Sequence, residues 1–503
     1  MANSKNPNFL YKIRIFLLSL LPVSLFFSYY PLITLGEATT LNLELSIPLI
    51  ILFLFAVFSI PTVFCCLRKT LSDSQKSRHF SLIFPLIFII YLSLSLIWTK
   101  NFLRGFLTTG IVFCIAISVI SMLDLYKTQK CCKNYNTFLL KLYLCSTATI
   151  CLFCWTQCIL DVLGINREAT LLCLGCTSET FGFPRPSGFA IEPQFMGNLL
   201  LLPSLLSLYF LIKPEKSPFS KKISVFLSII IIFTLFLTFS RGAIYSFVVA
   251  FFVLICLEPK KPRTRLILPI FVSIFAFSLS LLSQGLMSEL SPYNSTFLSG
   301  ISSSISQLSL GLIELPTPVK PVENPVENSQ PAQETSQNPT PEPPTPEESP
   351  ENSAPDSPIF DGYVEESTNT RLMLSSLAWK SWTSSPVSLL FGYGIGSSGV
   401  VINEFFPDLV DNKEIIQNEP LAIALELGLV GIILVLICLY FALKRLKSSP
   451  NFPLYLAIII AFFVSLMFFS GLPNALHIYL LPPLVFLCLE QQKSVQKSTQ
   501  NPR

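Results

Sequence analysis

Apolar residues in this chain gather into long unbroken runs and do not alternate with polar ones. Crossing a bilayer as a helix takes about 20 mostly apolar residues, and twelve runs come near that length. They are centred in residues 13–34, 46–67, 80–98, 106–125, 138–160, 195–212, 223–239, 243–257, 266–287, 420–443, 454–470 and 474–490. The eighth is short, and the last contains Pro482 and Pro483. The predicted fold is therefore an all-α polytopic membrane protein with about twelve transmembrane helices. The first run, "KIRIFLLSLLPVSLFF", is read as a helix and not as a cleaved leader, because no small-residue cleavage site follows it.

The polar residues between the runs set the orientation, since short loops rich in lysine and arginine stay cytoplasmic. With both ends inside, the inner segments hold 24 of the 34 basic residues, nine lie outside, and Lys141 falls within a span. The net charge of +4 is this cytoplasmic collar and gives no reason to invoke nucleic acid. Composition agrees: 51% of residues are hydrophobic and only 13% charged, about half the charged share of a soluble globule.

Two outer loops are large, about 161–194 and 288–419, the second separating the ninth span from the tenth. The chain thus divides into residues 1–287 with nine spans, the loop 288–419, and residues 420–503 with three spans and a cytoplasmic tail. The middle of the second loop, Pro316 to Pro358, is proline, glutamate, asparagine and serine with almost nothing to bury, a composition that cannot offset its ordering entropy. After it, Leu374, Leu377, Ala378 and Trp382 recur at helical spacing. They predict an amphipathic helix over about 365–384 at the outer membrane surface, with Asn369 or Thr368 as its cap. The following "LLFGYGIGSSGV" has Gly392, Gly394 and Gly396, a pattern open to two readings, a plain turn or a loop presenting N–H groups to phosphate.

Most cysteines lie within spans or on the cytoplasmic side, where they act as small apolar filler. Cys173 and Cys176, in "CLGC", fall in an outer loop. They read as a local disulfide or as two plain thiols, since no second pair of metal ligands accompanies them.

Three outer arginines run against the charge bias: Arg185 in "FPRPSGFAIEPQF", Arg241 in "TFSRGA" and Arg371 in "NTRLMLSS". Each alone could snorkel to lipid phosphate. Three together near the membrane boundary suggest a shared ligand, and guanidinium recognises phosphate oxygens in a bidentate manner. A lipid-linked phosphate or diphosphate fits that place.

In order along the chain, "RPSGFAIEPQFMGNLLLL", "TFSRGA", "RLMLSSLAWKSWTSSPVSLLFGYGIGSSG" and "QNEPLAIALELGLVGI" resemble segments of the O-antigen ligase and polymerase superfamily. A weaker likeness adds "LSLIWTKNFLRG" near the third span. The resemblance implies a GT-C-like helical fold in the bacterial inner membrane and metal-independent, cofactor-free glycan transfer from an undecaprenyl-diphosphate carrier. The acceptor would be a glycan, a lipid or a protein. By resemblance, Arg185, Arg241 and Arg371 hold the diphosphate, and Gly392, Gly394, Gly396, Gln417 and Asn418 fall in substrate-binding segments. Ligases of this superfamily typically carry histidine and asparagine before the "LELG" span, whereas this chain has Gln417 and Asn418. Glutamine cannot accept a proton, so Glu192 and Glu419 become the candidate bases. His79 is cytoplasmic by this topology, and His477 near the outer end of the last span reads as structural.

Other functions compete. A transporter or lipid-linked glycan flippase would also suit twelve spans, but it usually places charges or helix breaks at the midplane of matching halves. Here Lys141 and Glu426 are the main charges within spans, and the halves show no repeat. Transfer to protein, as by the O-oligosaccharyltransferases of the same superfamily, is not separated by these motifs.

Overall fold

A computed structural model describes residues 9–35, 43–72, 76–128, 133–165, 170–258, 264–292, 296–309, 312–313, 363–411, 416–472 and 475–499. The Pro/Glu-rich spacer 316–358 and His79's side chain lie outside what is described.

Each of the twelve apolar runs contains a helix, and the first runs on into a strand. The helices are α1 (Phe9–Ser24), α2 (Ile47–Ser72), α3 (Lys76–Leu94), α4 (Phe102–Thr128), α5 (Lys133–Val162), α6 (Pro193–Ile212), α7 (Lys221–Leu237), α8 (Arg241–Cys256) and α9 (Thr264–Leu290). The rest of the fold adds α10 (Phe297–Leu308), α11 (Tyr363–Trp382), α12 (Pro386–Phe391) and α13 (Ser398–Phe405), and the last three runs form α14 (Glu419–Leu446), α15 (Phe452–Leu466) and α16 (Leu476–Thr499). Among the described residues, seven helices are long and apolar enough to cross a membrane by length and composition, and four shorter ones are apolar. The fold is helical and polytopic with one addition: between α1 and α2, β1 (Pro31–Leu35) pairs antiparallel with β2 (Leu43–Ser46).

Helix α6 is the axis of the bundle. All its residues except Gln194 and Phe195 are buried, as a helix apolar all round requires. Gly197 allows its close approach to α8: a Cβ there would stand 2.8 Å from that of Ala243 and 2.9 Å from that of Ser240. At one end of α6, Tyr209 donates to Asn451 Oδ1 at 2.6 Å. Lys213 there pairs with Glu258 and donates to the Pro450 carbonyl at 3.0 Å. The other end carries the cavity described below.

A second core joins α11, α13 and the start of α14 through Leu374, Leu377, Trp382, Val401, Ile402 and Leu425. The apolar face of α11 packs on protein, and Leu372, Met373 and Trp379 stay exposed on the other side. The helix also begins at Tyr363, so Thr368 and Asn369 lie inside it and cannot cap it. The loop after α9 likewise contains an unforeseen helix, α10, started by a reciprocal capping box between Thr296 and Ser299.

The glycine loop has a structural task. Helix α14 breaks at Gly428, whose φ of 64° and ψ of −167° are not helical. The break frees carbonyls that need partners. Tyr393 N–H donates to Leu425 O at 2.9 Å and Gly394 N–H to Glu426 O at 2.8 Å. The Tyr91 hydroxyl donates to Leu427 O at 2.8 Å, and Gly392 N–H donates to Ser388 O. The N–H groups of Gly392 and Gly394 are thus engaged by carbonyls, as a plain turn at Gly392, Gly394 and Gly396 would have them. All three glycines adopt positive φ against neighbouring backbone.

Candidate functional site

The short link between α7 and α8 builds the first wall. Phe239 sits at φ 47°, a left-handed conformation that non-glycine residues rarely hold. Ser240 caps α8 by accepting from Ala243 N–H at 3.5 Å, and Arg241 becomes the first residue of α8. Carbonyls left over at the end of α7 are taken by Arg185, whose Nε donates to Thr238 O at 3.2 Å and Nη2 to Phe239 O at 3.3 Å. Its guanidinium also lies 5.0 Å from the Phe181 ring centre.

The second wall is the start of α6. Ile191 holds φ 67°, an outlier for a β-branched side chain. It turns the chain so that Glu192 is the cap residue and Pro193 opens the helix. Arg185 is fixed from behind by its own N–H, which donates to Cys176 O at 2.9 Å. Cys173 and Cys176 form a disulfide, which decides between the two readings of "CLGC". Two strained non-glycine residues beside one site are the kind of backbone cost, about 1–3 kcal/mol each, that persists where surrounding structure imposes it.

Together these segments enclose a cavity of about 620 Å³ lined by Arg185, Arg241 and Arg371. The disulfide, Glu192, Gln194, Asn198, Ser240, Gln307, Gln417, Ser465 and Phe468 also line it. Three arginines from segments far apart in sequence thus share one space, and Arg371 is oriented by Gln194 Oε1 at 2.7 Å. The N-termini of α6 and α8 open on the same space, adding the positive ends of two helix dipoles. Glu192 is the carboxylate on its wall. Although Glu192 is exposed to the cavity, crowding by protein atoms desolvates its carboxyl and pushes it above its ordinary value, outweighing Arg371 and Arg185, which pull it down.

The other candidates lie elsewhere. Glu419 does not line the cavity: it is buried, and its carboxylate accepts from Gly471 N–H at 2.7 Å and from the Ser470 hydroxyl at 3.4 Å. Asn418 caps α14, its Oδ1 accepting from Leu421 N–H at 3.2 Å. The glycine loop lines the α14 break. His477 is fully buried between Tyr29 and Phe462, consistent with a structural place. Gln194, Asn198, Gln307 and Phe468 were not foreseen. Gln194 and Asn198 stand within or just after the quoted "RPSGFAIEPQF" segment, whereas no motif marks Gln307, which lies between Ile305 and Leu308.

Residues 226–436 match the O-antigen ligase family. The chain carries an O-antigen ligase domain. The matched stretch includes Arg241, Arg371 and Gln417, while Arg185 and Glu192 precede it and reach the same cavity through the fold. An O-antigen ligase domain in a multi-pass helical protein places the chain among membrane proteins of the glycan ligase and polymerase type, whose substrates are lipid-linked glycans. No curated protein and no solved structure matches the chain.

Proposed function

We propose that this protein is an inverting, metal-independent glycosyltransferase. It moves or polymerises glycan from an undecaprenyl-diphosphate-linked donor on the outer face of the bacterial inner membrane, with both termini cytoplasmic. The observation that carries the proposal is the convergence of Arg185, Arg241 and Arg371 on one cavity at two helix N-termini. Charge gathers on the departing diphosphate in the transition state, and cations already in place there lower the barrier without reorganising.

In this reading the acceptor hydroxyl oxygen attacks the anomeric carbon from the face opposite the diphosphate. The new glycosidic bond forms as the carbon–oxygen bond to the diphosphate breaks, and both bonding electrons leave with the diphosphate. The hydroxyl proton passes to Glu192, the carboxylate that lines the cavity. Glu419, held by Gly471 and Ser470 outside it, takes no part in this step.

Purified full-length protein supplied with an undecaprenyl-diphosphate-linked oligosaccharide should release undecaprenyl diphosphate and extend or attach glycan. Native rates in both Arg185→Ala and Arg241→Ala would remove the arginines from the reaction. Mass spectrometry of a deletion strain separates acceptors. Loss of long surface polysaccharide marks a ligase or polymerase, and selective loss of protein glycans marks an O-oligosaccharyltransferase.

A further inference from the structure

The arginines account for only one part of the cavity wall. Three carboxamides stand on the rest of it: Asn198 from α6, Gln307 from α10 and Gln417 ahead of α14. Asn198 is 2% exposed and accepts from the Ser465 hydroxyl through Oδ1, but its Nδ2 has no partner among the described residues. Gln307 is 6% exposed, and its amide makes no side-chain hydrogen bond among the described residues. The Oε1 of Gln417 is buried without a partner among the described residues. Polar groups that protein does not satisfy are open to a ligand or to water, and three amides with unused hydrogen-bonding capacity line this one space.

The chemistry of that occupant is constrained. Whichever way round each amide is turned, it presents both a donor and an acceptor. A diphosphate offers acceptors alone and would match only the donor half of each amide. Hydroxyl and acetamido groups offer both, and they are uncharged. The fourth feature is Phe468. Its backbone carbonyl is held by Gln194 Nε2 at 3.0 Å, while its ring stands 39% exposed on the cavity wall. An open aromatic face beside neutral hydrogen-bonding groups suits the C–H face and hydroxyl edge of a pyranose.

We infer that Asn198, Gln307, Gln417 and Phe468 form a sugar subsite that holds the first sugar of the donor beside the arginines that hold its diphosphate. This rests on the diphosphate reading of the arginines. The subsite positions the anomeric carbon between the leaving group and Glu192. It makes recognition of the lipid-linked substrate depend on the sugar as well as on its charge.

The test compares binding of bare undecaprenyl diphosphate with that of the same lipid carrying one N-acetylglucosamine, glucose or galactose, using full-length protein in nanodiscs. For the native chain, at least one sugar-bearing lipid should bind about tenfold more tightly than the bare one. Gln307→Met and Gln417→Met, near in volume but without the amide, should each cut that advantage to about threefold or less. Both should leave affinity for the bare lipid and the unfolding temperature unchanged. Phe468→Leu gives an independent measurement should a carboxamide variant fold poorly. Equal binding of bare and sugar-bearing lipids by the native protein overturns the subsite alone, as does the full advantage retained in folded variants. Failure of the bare lipid to bind overturns the diphosphate reading, and the subsite with it.

Discussion

Arg371 Nη2 donates to Gln194 Oε1 at 2.7 Å, joining two residues 177 positions apart on one wall of the cavity. Gln194 in turn donates from Nε2 to the Phe468 carbonyl at 3.0 Å. The amide thus ties α11 to α6 and to the link after α15, and it aims the guanidinium. Hydrogen bonds to charged groups contribute about 1.5–3 kcal/mol, so Gln194→Leu should lower the transfer rate by about ten- to a hundredfold. Single-turnover transfer by purified protein measures this. A native rate would show that Arg371 needs no orientation.

Arg185 is held by two carbonyls at the end of α7. Lysine keeps the charge but cannot reach both carbonyls with a planar fork. Arg185→Lys should therefore lose activity almost as fully as Arg185→Ala, by more than about tenfold. If lysine restored the native rate, charge alone would suffice, and the geometry of the fork would be irrelevant.

Glu192 sets a pH dependence. A base acts only when ionised, and desolvation by the surrounding protein raises this carboxyl despite Arg371 and Arg185 nearby. Activity should fall as pH drops through that raised value, so the acid limb of the profile lies above the ordinary carboxylate range of about 4.3. Above it, activity should level off. Glu192→Gln should abolish the limb together with most of the rate. A limb that persists in that variant would assign it to another group.

Gly428 predicts a stability effect. A Cβ there would stand 2.3 Å from Leu390 O, at a φ that side chains avoid. Gly428→Ala should cost about 3 kcal/mol, seen as a lower unfolding temperature in detergent. Gly392→Ala should behave alike, its Cβ meeting Glu426 backbone at 2.4 Å. A Gly392→Ala protein of native stability that had lost lipid-diphosphate binding would favour the phosphate-loop reading.

The helices were legible in the sequence because a bilayer demands long apolar runs, and every such run contains a helix here. The arginines were legible because each opposed the charge bias. The glycine loop stayed open between two readings because the partners of its N–H groups include carbonyls freed by a break at Gly428, and nothing in "LELGLVG" announces that break. Glu419 and Glu192 are both glutamates at helix starts, and only the fold separates them: Gly471 and Ser470 take one, and the cavity receives the other. Gln307 gave no signal, since a glutamine in a serine-rich stretch acquires meaning only when α10 docks along α9.

Helix α6 holds the cavity at one end and the Lys213–Glu258 pair at the other. Twenty helical residues span about 30 Å, the thickness of the hydrocarbon layer. The same rod is anchored by Tyr209 to Asn451 and by Lys213 to Pro450. It acts as a depth gauge. In a membrane, residues at the far surface fix how high Glu192 and Gln194 stand above the lipid, and so the level at which a lipid-borne diphosphate meets its arginines.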